Sequence, residues 1–122
     1  MNKKEVLKEI KKGTFFLKDA DDKLKADEEV VLESVKLNGL FLKFADEKLK
    51  GNKNIVLTAV KQNGMSIYFA SNKLKADKEI AQEAVKNNGE ALEYVDSKLK
   101  NSLNIYNVFY ISMEMVALLV NI

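Results

Sequence analysis

Val35-Lys36-Leu37-Asn38-Gly39, Val60-Lys61-Gln62-Asn63-Gly64 and Val85-Lys86-Asn87-Asn88-Gly89 are one phrase written three times at a spacing of 25 residues. The residues after each glycine keep the same step. Leu42, Ile67 and Leu92 correspond, as do Phe44, Phe69 and Tyr94, and then Lys48-Leu49-Lys50, Lys73-Leu74-Lys75 and Lys98-Leu99-Lys100. A period between about 20 and 50 residues marks an architecture of stacked units, each too small to bury its own apolar face.

Upstream of each phrase the apolar residues fall at helical spacing. Val30, Val31 and Val35, then Ile55, Val56, Ala59 and Val60, then Ile80, Ala81, Ala84 and Val85 each line one stripe. Asp27, Asn52 and Asp77 stand before these stripes, where a side-chain oxygen can accept from the free N–H groups of a first turn. The Asn-Gly pair is expected to end the helix, with glycine in the left-handed conformation and a lysine near the negative dipole end.

The second half of each unit fits two patterns. Phe41, Leu42, Phe44, Ala45 and Leu49 suit a short helix, whereas Leu40, Leu42 and Phe44 alternate as a strand does. Helix is preferred because the intervening positions, Phe41 and Tyr68, are not polar. Asp46, Ser71 and Asp96 suit the cap of a further short turn carrying Lys-Leu-Lys. The expected fold is all-α: a short solenoid-like stack of about four two-helix repeats, forming one domain over residues 1–122.

Residues 1–26 read as a degenerate first unit. Ile10, Leu17, Ala20 and Leu24 keep register with Val35, Leu42, Ala45 and Leu49, while Gly13-Thr14 replaces Asn-Gly and Asp19 takes the aromatic position. A polar residue there suits an end cap whose outer face meets water. The following units are 27–51, 52–76 and 77–101. Residues 102–122 form a divergent apolar segment, expected to be a fourth long helix. Residues 108–120 are too short, and too interrupted by Ser112 and Glu114, to span a membrane. A helix apolar all round must be covered on several sides. Either the stack covers it or a second copy does so, through Ile105, Phe109, Met113, Val116 and Val120.

The chain has 122 residues, with no cysteine and no histidine, and all 20 of its basic residues are lysine. Disulfides, thiolate metal sites and histidine acid–base chemistry are thereby excluded. No Gly-rich phosphate loop or metal-type cluster is present, so no cofactor is expected. Identical groups repeated in tandem also do not supply the unlike groups that converge in an active site. The N-terminal segment is amphipathic and no signal peptide is visible, so a cytoplasmic location is expected.

Two surfaces are candidates for binding. Lys36, Lys61 and Lys86, with Asn38, Asn63 and Asn88, could form a ladder along one edge, or could simply terminate their helices. The charge is also uneven. Residues 27–51 and 77–101 each hold six acids and four lysines, whereas residues 52–76 hold Lys53, Lys61, Lys73 and Lys75 and no acid. Such a band could attract an anion, although a net charge of +2 is far below that of most nucleic-acid binders. Phe44, Phe69 and Tyr94 could stack on bases, but aromatic residues at element spacing more often pack in a core.

Ala59-Val60-Lys61-Gln62-Asn63-Gly64 with Phe69-Ala70-Ser71, and Ala84-Val85-Lys86-Asn87-Asn88-Gly89 with Tyr94-Val95-Asp96, resemble a bacterial repeat catalogued as domain of unknown function 4116. The resemblance covers residues 27–100 well and 1–26 loosely. It implies tandem helical units, often within longer proteins, and attaches no catalytic residue. The expected role is therefore non-enzymatic: a module for protein–protein interaction or scaffolding, with anion or nucleic-acid binding by the central lysines as the alternative.

Overall fold

The structure, a computed structural model, describes residues 1–103. The expected C-terminal helix, and the five residues named for dimerisation, lie outside the described residues. Within 1–103 the chain is an all-α stack of tandem helical repeats. Its α-helices are α1 (Lys3–Lys12), α2 (Asp22–Lys25), α3 (Glu28–Leu37), α4 (Lys53–Gln62), α5 (Asn72–Lys75), α6 (Lys78–Asn87) and α7 (Ser97–Leu103). Between them lie 3₁₀ helices at Leu17–Asp19, Gly39–Phe44, Leu49–Gly51, Gly64–Phe69 and Gly89–Tyr94. A full unit therefore runs as a ten-residue α-helix, a six-residue 3₁₀ helix and a short turn.

The caps are those the sequence indicates. Asp27, Asn52 and Asp77 accept from the backbone N–H groups of Val30, Ile55 and Ile80 at 3.0–3.1 Å. Ser71 caps α5 through Leu74 N–H, and Asp46 and Asp96 accept from Lys48 and Lys98 N–H at 3.0 Å. The long helices α1, α3, α4 and α6 pack in that order as one layer, and the six-residue 3₁₀ helices form a second layer against them. Val30, Val31, Val35, Ile55, Val56, Val60, Ile80 and Ala81 fill the space between, fully or almost fully buried.

The returning helix is 3₁₀ rather than α, and its period explains why its sequence pattern was ambiguous. A 3₁₀ helix has three residues per turn, so one face takes every third residue. Gly39, Leu42 and Ala45 are buried in one unit, and Gly64, Ile67 and Ala70 in the next. A period of three lies between the two of a strand and the 3.6 of an α-helix. Both alternatives therefore matched part of it.

The expected left-handed glycine is corrected at the three repeated positions. Among the described residues only Gly13 has positive φ, at 77°, where it closes α1 with Thr14 N–H donating to Glu9 O. At the later junctions the turn is made by asparagine. Asn38, Asn63 and Asn88 are extended (φ −152°, −150° and −149°) and serve two helices at once. Their N–H groups donate to Ser34 O, Ala59 O and Ala84 O, and their side chains accept from Leu40, Met65 and Glu90 N–H.

At Gly39 and Gly64 glycine follows because the next unit comes close. A Cβ on Gly64 would collide with Ala84 O, and would lie 3.1 Å from the Ala84 carbonyl carbon and 3.2 Å from Asn88 N. A Cβ on Gly39 would collide likewise with Ala59 O and lie 2.7 Å from Ser66 Oγ. Small residues are thus needed on both sides of each contact, which accounts for Ala59 and Ala84 within the helical stripes.

Candidate functional site

Three sets of bonds hold one unit to the next, and they absorb several of the candidate residues. The first is a clasp from the residue before the second and third Asn-Gly pairs. Gln62 Oε1 accepts from Gly39 N–H at 2.6 Å and its amide donates to Leu37 O at 3.4 Å. Asn87 repeats this, accepting from Gly64 N–H at 2.6 Å and donating to Lys61 O at 3.1 Å. Sequence reasoning missed these two residues. The available signal was that this variable position holds amides, Gln62 and Asn87, only where a preceding unit offers an Asn-Gly turn.

The second set is backbone: Asp46, Ser71 and Asp96 N–H groups donate to Lys25, Lys50 and Lys75 O at 2.9–3.0 Å. The third is ionic. Lys3 Nζ lies 3.1 Å from Asp27 and 3.6 Å from Glu29, and Lys53 Nζ lies 3.1 Å from both Asp77 and Glu79. The hydrogen bonds to Asp77 and Glu79 raise the Lys53 pKa above its ordinary value, and that to Asp27 raises the pKa of Lys3. Partial burial works to raise the Asp77 and Asp27 pKa values. The N–H groups of Ile80 and Val30 and the facing ammonium groups outweigh it and hold both carboxyls low.

The lysine and asparagine ladder is consequently divided. Asn38, Asn63 and Asn88 are engaged in the turns, and Lys53 in its ion pairs. Lys36 pairs with Glu33 at 3.1 Å. Lys61 and Lys86 are exposed and, with Glu83 and Asn87, line a shallow recess at the ends of α4 and α6. Lys73 is exposed, while Lys75 is half-buried with its ammonium 5.5 Å from the Tyr68 ring centroid.

The 3₁₀ layer carries a run of aromatic contacts. Phe44, Phe69 and Tyr94 are half-buried and pack against the core. Phe16 and Phe41 meet edge to face at 6.0 Å, and Phe41 lies 6.3 Å from Phe44. Tyr68 meets Phe69 at 5.1 Å and Tyr94 at 5.0 Å, again edge to face. Phe16 is 47% exposed and Tyr68 54%, so this layer presents aromatic surface to solvent. Among the described residues no group of three or more Asp or Glu is placed to hold a metal ion, and no helix is long and apolar enough to cross a membrane.

Such a two-layer stack of short repeats, joined unit to unit by side-chain clasps, is a tandem helical-repeat protein. The sequence matches the family described as "Domain of unknown function (DUF4116)" over residues 3–50 and 52–100, and the chain belongs to that family. No curated protein and no solved structure matches it.

Each matched segment spans two of the 25-residue units, and the ion pairs follow that longer period. Lys3 with Asp27 and Glu29 is repeated 50 residues later by Lys53 with Asp77 and Glu79. Residues 1–26 hold eight lysines and five acids, so charge alternates along the stack: basic, acidic, basic, acidic. Opposite charge on neighbouring units favours the observed pairing and disfavours a shift by one unit.

Proposed function

We propose that this chain is a non-enzymatic interaction module that binds another protein along its 3₁₀ layer. The observation that carries this reading is the exposed Tyr68, held edge-on by Phe69 and Tyr94, at a register where Lys43 and Glu93 stand in the neighbouring units. The fold accepts a charged residue there, so stacking does not require the aromatic ring. Exposed Tyr is costly for solubility and is enriched where proteins meet. In the α-helical layer, by contrast, Lys3 and Lys53 are held by carboxylates across two of the junctions.

Crosslinking with a photoreactive residue at position 68 tests this, with position 18 on the exposed part of the first unit as control. Specific protein adducts from position 68 and none from position 18 support the reading. Equal labelling from both positions refutes it. The nucleic-acid alternative is weaker in this arrangement, because Lys53 is neutralised by two carboxylates and each flanking unit carries excess acid.

A further inference from the structure

We infer that the basic, aromatic edge of residues 52–76 is a docking site for a short acidic peptide segment with an aromatic or aliphatic anchor. This rests on the interaction reading above and specifies its partner. The argument comes from where the repeat breaks. The Asn turns that join the two layers recur from unit to unit, so a departure at a position where neighbouring units carry a charged residue instead marks a separate demand.

Residues 52–76 depart at one edge in two ways. Tyr68 replaces Lys43 and Glu93 of the neighbours and stands 54% exposed. Ser71-Asn72 replaces Asp21-Asp22, Asp46-Glu47 and Asp96-Ser97, which removes the carboxylates that accompany Lys-Leu-Lys elsewhere. Both changes converge in space. Lys75 Nζ sits 5.5 Å from the Tyr68 ring, Tyr68 touches Tyr94, and Lys73 is exposed on the same one-turn helix. In the preceding unit Lys50, the counterpart of Lys75, is instead paired with Glu47 at 2.9 Å. No ion pair joins Lys73 or Lys75 to a carboxylate among the described residues.

The width of the patch selects the partner. Packed helices lie about 8–10 Å apart, so one unit offers room for roughly three residues of extended chain at about 3.3 Å each. A long polyanion running along the stack would meet the acidic units on either side. A cluster of about three acidic side chains would fit against Lys73 and Lys75 alone, with an adjacent apolar side chain laid on Tyr68 and Tyr94.

The test is selection of a random dodecapeptide display library on the full chain, followed by affinity measurement with the enriched peptide. The expected result is enrichment of Asp and Glu clusters next to Tyr, Phe, Leu or Ile. Tyr68→Ala and Lys75→Glu should each weaken binding by about tenfold or more, a loss expected of a residue at the centre of an interface. Lys18→Glu should change it by less than about twofold, consistent with a charge outside the contact. Circular dichroism of each variant should match the parent chain. If enriched peptides need Tyr68 but are not acidic, the partner assignment fails and the interaction reading stands. If nothing is enriched, or binding ignores Tyr68, both fail. Retention of an oligothymidylate that competes with the peptide overturns the assignment in favour of nucleic acid.

Discussion

Replacing Gly64 by alanine should be among the most damaging single-methyl changes in the chain. The added Cβ would collide with Ala84 O and crowd the Ala84 carbonyl carbon at 3.1 Å and Asn88 N at 3.2 Å, all backbone atoms that no rotamer can move. Relief requires α6 to move away from the Gly64 turn. That movement strains the clasp in which Asn87 accepts from Gly64 N–H and donates to Lys61 O. Overpacking of this kind costs about 1–3 kcal/mol. Loss of the two clasp bonds adds about 1–3 kcal/mol, taking roughly 0.5–1.5 for each. The sum is a large fraction of the roughly 5–15 kcal/mol by which a domain is stable. Urea unfolding followed by circular dichroism measures it, with Gly13→Ala as comparator. Gly13 has φ 77° and nothing near its Cβ position, so its cost is the left-handed strain alone, about 1 kcal/mol. A Gly64→Ala loss no larger than that of Gly13→Ala would refute the close-approach argument and return the glycine to a conformational role.

Three further outcomes follow from the junctions. Asn87→Leu should destabilise by about 1–3 kcal/mol in urea unfolding, because it leaves the buried Gly64 N–H without its acceptor. Ser66→Ala should be neutral or stabilising by up to about 1 kcal/mol by the same measurement. Ser66 Oγ is buried with no hydrogen-bond partner, and the register mate one unit later is Ala91. Asp27 and Asp77 have folded pKa values held below 3.8, so their contribution is present above pH 3.8 and disappears as pH falls through the lowered values. The double variant Asp27→Asn, Asp77→Asn keeps both caps, as Asn52 does naturally, and should flatten the acid limb of a stability–pH curve. An unchanged acid limb would show that these carboxylates do not couple pH to folding.

The parts legible in the sequence were those whose chemistry is local. An N-cap is decided by one side chain and the next three residues, so Asp27, Asn52 and Asp77 could be placed from the chain alone, and the apolar stripes marked their helices in the same way. The glycine was recognised but assigned the wrong cause. Its meaning depends on Ala84, twenty residues ahead, and a backbone approach between units leaves no local trace. The clasps at Gln62 and Asn87 were hidden for the same reason, since their partners lie more than twenty residues back. From the sequence the lysine and asparagine ladder fits either a ligand surface or helix termini, because the partners that engage Asn38, Asn63 and Asn88 become definite only once the turns are folded.

Within a stack, repetition is better explained by the turns between layers, which recur from unit to unit and are served by Asn38, Asn63 and Asn88 in the same way. A binding surface for one partner has no such obligation, and it is free to differ between units. Read this way, the uniform Asn38, Asn63 and Asn88 belong to the architecture and their extended backbones show why. Tyr68, Ser71 and Asn72 break the pattern together at one edge, and Lys43 and Glu93 at the register of Tyr68 show that the fold accepts a charged residue in place of the ring. The proposed docking edge therefore rests on the departures from the 25-residue rule more than on the rule itself.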